Sequence, residues 1–203
     1  MPEDIYLRFV GSDGNGLLQG ECMDYKHPGS DGWIQFKSIS FAFGFGKDSA
    51  ETKQEPAKGK DGKPAPKKPG EADKKKKSNM HSGSLDFERV RLSKNSDLTS
   101  SRLMEICHAG DVIPKVVVEA CRTGGVGNAE KLPFLRLTFE GVCLKTCKLN
   151  LAVEGLPSED LEFEYDLVKI KSMWTDNQTG AERTSQPQGA GWDLKNQKYA
   201  PGD

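Results

Sequence analysis

The chain has 203 residues, enough for one domain with a buried core. Its 29 basic and 30 acidic residues leave a net charge of −1, a balance that argues against a general nucleic-acid binder and against an acidic tail protein. The five cysteines are odd in number and form no C-x-x-C. Cys143 and Cys147 lie four apart on a predicted strand, roughly 13 Å from each other and beyond disulfide reach. All five therefore read as reduced thiols, and His27, His81 and His108 are scattered without ligand spacing.

The start, MPEDIYLRFVG, lacks a basic segment followed by an apolar run, and no stretch approaches 18 apolar residues. The expectation is no signal peptide and no membrane span, with any export using a route that needs neither. Ile5–Val10 alternates as a strand, GSDGNG at 11–16 is a turn cluster, and Leu17–Tyr25 reads as a second strand. Trp33–Gly46 reads as one long strand. Ile39, Phe41, Phe43 and Phe45 share a bulky face; Ser38, Ser40, Ala42 and Gly44 share a small one. The aromatic face suits a core, and the small face suits a wall that something approaches closely or that borders a channel.

Composition then breaks. Lys47–Met80 holds 11 Lys against 6 acidic residues, a balance of +5, with 4 Pro and no aromatic residue. The rest of a chain whose total is −1 must carry −6. This segment reads as a disordered loop inserted into a single domain spanning 1–203. Without an aromatic among its lysines it offers no base-stacking site.

Leu85–Leu92 is a strand whose apolar parity flips between Phe87 and Val90, a bulge or bend signal. Leu98–Ala109 is the one convincing helix, with Asp97, Thr99 or Ser100 as caps, a Leu103/Ile106/Cys107 stripe, and Gly110 as a left-handed stop. Ile113–Thr123 is a strand, and GGVGN at 124–128 is a turn with no phosphate-loop pattern. Phe134–Val153 alternates for twenty residues, long for one strand, so a bend is expected near Gly141 or Lys145. Leu161–Trp174 alternates with a parity switch at Leu167/Val168. Its acidic stripe, Glu162, Glu164 and Asp166, reads as an exposed sheet face. Thr175–Gly191 is turn-rich, and Trp192–Lys198 is the last strand.

Seven to nine strands and one helix predict a mainly β fold, a compact two-sheet barrel or sandwich with one flanking helix. No catalytic grouping has spacing behind it: no H-E-x-x-H and no G-x-S-x-G, and Cys107 and His108 are adjacent on a helix and point apart. The chain reads as a non-enzyme with no cofactor and no metal. A stand-alone β-sandwich module that binds a ligand such as carbohydrate is the alternative.

Several ordered pieces carry a resemblance: SFAFG at 40–44; the pattern Lys94, Asp97, Ser100, Leu103–Met104, Cys107, Gly110; LTFEGV at 137–142; and GAGW ending at Trp192. Together they resemble the Hcp family, the tube protein of bacterial type VI secretion systems. The resemblance spans nearly everything outside the lysine-rich insert, which stands where the family has a shorter loop. It implies a homohexameric ring, stacking of rings into an expelled tube, and sheath and spike proteins as partners. Small effectors would ride in the lumen, with neither nucleic acid nor a membrane span involved. The protein would be cytoplasmic before assembly and then secreted without a signal peptide. On this reading Ser40 and Ala42 are candidate lumen-facing residues, and Arg102 and Glu105, off the helix's apolar stripe, are candidate subunit contacts.

Overall fold

The computed structural model describes residues 3–45, 85–124, 131–174, 176 and 188–201. In chain order the elements are β1 (Glu3–Val10), a 3-10 turn (Gly29–Asp31), β2 (Trp33–Phe36), β3 (Ser38–Ser40), β4 (Phe43–Phe45) and β5 (Leu85–Phe87). There follow β6 (Val90–Asn95), α1 (Ser100–Ala109), β7 (Val112–Thr123), β8 (Lys131–Asn150), β9 (Ser158–Glu164), β10 (Leu167–Ser172), β11 (Gln188–Asp193) and β12 (Lys198–Pro201). The fold is mainly β with one α-helix among the described residues. The chain divides into two compact units, Met1–Ala42 with Glu88–Asp203, and Phe43–Phe87. The second is described here only by the antiparallel pair β4–β5, where Phe43 meets Phe87. The insert expected at Lys47–Met80 lies outside the described residues.

In the first unit every strand pair is antiparallel, and the pairings close on themselves. β1 pairs with β7, and β7 with β8. The far half of β8 pairs with β9, β9 with β6, and β6 with β3. β3 follows β2 across the single residue Lys37, and β2 returns to β1. The ring of pairs is a barrel, which removes most exposed edges. The near half of β8 also carries β10, and β11 and β12 extend that sheet.

Strand parity puts the apolar residues inside. Ile34, Leu7, Val118 and Leu137 form one cross-strand row, and Phe9, Val116, Phe139 and Val168 the next. On the other side of the barrel, Leu144, Phe163 and Val90 continue the core. The Phe139 ring meets Phe41, Phe163 and Tyr165 edge-on. Such contacts add to the area they bury. Helix α1 lies against β8 with Leu103 and Ile106 buried.

β8 serves both sheets because it bends where its sequence permits. Gly141 sits at φ +64, and a Cβ there would collide with the Asp166 carboxylate. Four residues on, the register with β9 slips between Leu144 and Thr146, leaving Lys145 unpaired on the β9 side. Both expected bend positions are therefore used. The predicted parity breaks elsewhere also fall at real ends. Glu88 and Arg89 separate β5 from β6, and Tyr165 and Asp166 separate β9 from β10.

Besides Leu85–Leu92 and Leu161–Trp174, each split in two at its parity break, three expected strands differ from the structure. Trp33–Gly46 is broken into β2, β3 and β4. The break at Lys37, whose N–H donates to the Ser93 carbonyl, is where the chain leaves β1 for β6. Leu17–Tyr25 forms a loop rather than a strand, with an isolated bridge between Met23 and Pro28, and its backbone pairs with the 3-10 turn through Gly20 and Gly29. Trp192–Lys198 is mostly a turn between β11 and β12, held by Asp193 accepting the Asn196 N–H and side-chain amide, with Gln197 at φ +50. Of the predicted turn-rich Thr175–Gly191, residues 188–191 belong to β11; residues 175 and 177–187 lie outside the described residues. The predicted GGVGN turn is described only at Gly124.

Candidate functional site

Lys94 shares strand parity with Val90 and Leu92 and is as buried as they are, at 0% exposure. A buried ammonium is tolerated only when it is fully partnered. Here Nζ donates to Asp97 Oδ1 at 2.8 Å and to the Asn95 carbonyl at 3.0 Å, and lies 3.2 Å from Glu159 Oε2. Asp97 in turn accepts the Thr99 N–H at 2.8 Å, while its own N–H donates to Ser100 Oγ at 2.9 Å. Ser96 donates to the other Glu159 oxygen at 2.8 Å. All three predicted caps thus sit in one knot that ties β6, β9 and the helix start together. Thr99 is the N-cap by position, and the helix runs 100–109 rather than 98–109. Gly110, at φ +71, ends it with its N–H on the Ile106 carbonyl.

A second knot lies on the outer face of β1 and β7, where Tyr6, Glu119 and Arg136 form a cross-strand row. The loop that replaces the expected Leu17–Tyr25 strand lays His27 on this row. The imidazole stacks on Tyr6 at 4.2 Å and meets the edge of Trp33. Its Nδ1 is 2.9 Å from Asp24 Oδ1 and its Nε2 is 2.7 Å from Glu119 Oε2; Arg136 Nε donates to Glu119 Oε1 at 2.7 Å. Burial alone would depress the His27 pKa, but the hydrogen bonds to Glu119 and Asp24 outweigh it and raise the group above its ordinary value. Burial alone would raise Glu119, but the bond from His27 and the Arg136 charge hold it below the usual carboxylate range.

Cys121 Sγ lies 3.9 Å from His27 Nε2, and the His27, Glu119 and Cys121 ligand atoms all fall within 4.8 Å of one another. A metal ion there would have to displace the His27–Glu119 hydrogen bond and compete with Arg136 for the carboxylate. The donor set fits an ion-paired pin for the loop better than a metal centre. Sequence spacing gave no signal for this cluster, because His27 comes from a loop some ninety residues before Glu119 and Cys121 on β7. Lys94 did carry one, a charge on the apolar parity of β6.

The sequence-predicted site residues fall on two separate elements. Ser40 closes β3 opposite Arg91, and both Ser40 and Ala42 are exposed. The Ala42 carbonyl accepts the Glu88 N–H. The small face of this stretch therefore is open. The bulky face is only partly core: Phe41 packs on Phe139, whereas Phe43 is exposed. Arg102 and Glu105, at 52% and 66% exposure, pair with each other one helical turn apart. The acidic stripe is a cross-strand ladder, Glu162 with Arg91 and Glu164 with Arg89 and Lys145. The turn between β8 and β9 exposes Leu151, Val153 and Leu156, and Met23 is exposed on the 17–28 loop.

The family model for "Type VI secretion system effector, Hcp" matches residues 6–172. Among solved structures, one described as a type six secretion system protein is 20% identical, with a TM-score of 0.68 over 98% of this chain and 100% of that one. Hcp1 from Salmonella typhimurium is 18% identical, with a TM-score of 0.64 over 98% and 100%. The secreted protein Hcp3 from Pseudomonas aeruginosa is 12% identical, with a TM-score of 0.54 over 95% and 98%. At these identities the structural likeness is one of fold. No curated protein matches the chain.

Proposed function

Because the chain belongs to the Hcp family of type VI secretion, a secreted and non-enzymatic tube family, we propose that it forms homohexameric rings. The rings stack into the inner tube expelled by the secretion machine. Small effectors occupy the lumen, and sheath and spike proteins are the outer partners. The observation that carries this reading is the family match, which runs through the whole closed barrel from β1 to β10.

Surface chemistry supports it. A ring needs a closing side contact and a tube needs an open-ended one on its rims. The exposed Arg102–Glu105 face of α1 is assigned to the contact around the ring. The exposed apolar residues at the β8–β9 turn and on the 17–28 loop are assigned to contacts between copies, since such residues in one neighbourhood mark association surfaces. Ser40 and Ala42, small and open, are assigned to the lumen wall.

Light scattering on the purified protein tests the central claim. A species near six times 22.3 kDa is expected, and rings in negative-stain images. A strict monomer at high concentration would overturn it.

A further inference from the structure

Two cysteines far apart in sequence meet where α1 packs on β8. Side chains on a helix tilt toward its N-terminus, so the Cys107 side chain lies over the turn that holds Leu103, its i−4 neighbour. Cys147, on β8, reaches the same turn from the sheet side, its Sγ 3.6 Å from the Leu103 carbonyl. Within α1 that carbonyl is the i−4 acceptor of the Cys107 N–H, so the Cys147 sulfur lies beside the Cys107 backbone. Both are half-buried, neither sealed in the core nor fully open, whereas Cys121 is completely enclosed. All five cysteines are free thiols in the structure.

We propose that Cys107 and Cys147 are a latent disulfide that closes once the protein has been exported, stapling α1 to β8. The inference rests on the secreted character of the family, since an exported chain leaves a reducing compartment for an oxidising one. The oxidant is a small-molecule disulfide. Cys107 loses its proton and its thiolate attacks one sulfur of the oxidant, whose S–S bond breaks and releases one thiol. The Cys147 thiolate then attacks the Cys107 sulfur of the mixed disulfide and expels the second thiol. One protein S–S bond forms, two S–H bonds are lost, two protons leave with the released thiols, and the oxidant gains two electrons. Burial, the neighbouring Cys107 thiol and the Glu159 carboxylate push the Cys147 thiol up to about 12. An un-ionised Cys147 thiol is a poor first nucleophile.

The staple would close a loop of about 40 residues, for which the chain-entropy model gives a rise in Tm of about 10 °C. The test treats the purified full-length protein with oxidised glutathione and measures intact mass, thiol titration, peptide mapping and thermal unfolding. The expected result is loss of two hydrogens, loss of two of the five thiols, a Cys107–Cys147 cross-linked peptide, and the higher Tm. Cys107→Ala and Cys147→Ala, made separately, should each abolish the cross-link and the Tm rise; either one that folds is sufficient. A retained glutathione adduct, a bridge mapped to other cysteines, or no loss of hydrogens overturns the proposal. Ring size is measured on the same samples, so failure to oxidise is distinguishable from failure to assemble.

Discussion

His27 and Lys94 show that the barrel is fastened by charges as well as by its apolar core. His27 bridges Asp24 and Glu119, with Tyr6 stacked on its ring, Cys121 beside it and Arg136 beyond Glu119. Its folded pKa is raised, so its contribution is fully present below the unfolded value of 6.5 and is lost as pH rises through the folded one. Glu119 is shifted down, so its contribution is present above about 4.5 and is lost as pH falls through its folded value. The pin is therefore complete between these limits. Unfolding by urea should show wild-type stability falling from pH 5.5 towards alkaline pH, and His27→Gln should flatten that slope while costing about 3 kcal/mol at pH 5.5. Parallel pH curves for the two proteins would mean the imidazole is neutral in the fold. Lys94 is predicted to be costlier to change. Lys94→Met preserves volume but leaves Asp97 and Glu159 facing each other without a cation, which should cost about 3–5 kcal/mol. Adding Glu159→Gln should return part of that, because it removes one unpaired buried charge. A neutral Lys94→Met would show that the knot contributes nothing net.

At the level of elements, the proposed ring divides the faces of helix α1 between folding and assembly. Leu103 and Ile106 are buried against the barrel, whereas Arg102 and Glu105 touch only each other and solvent among the contacts described. Arg102→Glu puts two acids one turn apart on the exposed face. The monomer's unfolding midpoint should stay within experimental error. The protein concentration at which rings dissociate, read by analytical ultracentrifugation, should rise about tenfold or more. Collapse of the monomer itself would make the helix a core element only, and an unchanged ring would remove Arg102 from the subunit contact. Much of this element layout was legible in the sequence, because strand alternation has a period of two and any inserted residue flips it. Hence the flips near Phe87 and Leu167 and the Gly110 stop coincide with real element ends, and Gly141 and Lys145 with real bends inside β8. Other features were not legible, for a common reason: they depend on partners distant in the chain. Trp33–Gly46 keeps its alternation while exchanging β1 for β6, so nothing local marks the break. Leu17–Tyr25 alternates well enough for a strand, yet Glu119, some ninety residues on, holds the following His27 and so decides how the loop lies.

For the whole molecule, charge is divided unevenly. The segment Lys47–Met80 carries +5 and the remainder −6, for a total of −1. A hexamer of the full chain would then hold only a small net negative charge, and a hexamer without the segment six times −6. Stacked rings bring like charges together over short distances, and that repulsion is screened with a Debye length of about 10 Å at 0.1 M salt. Deleting residues 47–80 and bridging with a short Gly/Ser linker should therefore leave rings intact, since the closed barrel lies outside the segment. Stacking into tubes should weaken at low ionic strength and recover as salt is raised towards 0.5 M. Electron microscopy across a salt series reads both effects at once. Tubes equally long at every salt concentration would make the segment a spacer with no electrostatic part in stacking. Rings lost at every salt concentration would instead place the segment in the subunit contact, and Arg102→Glu in the deleted background would separate its share from that of α1.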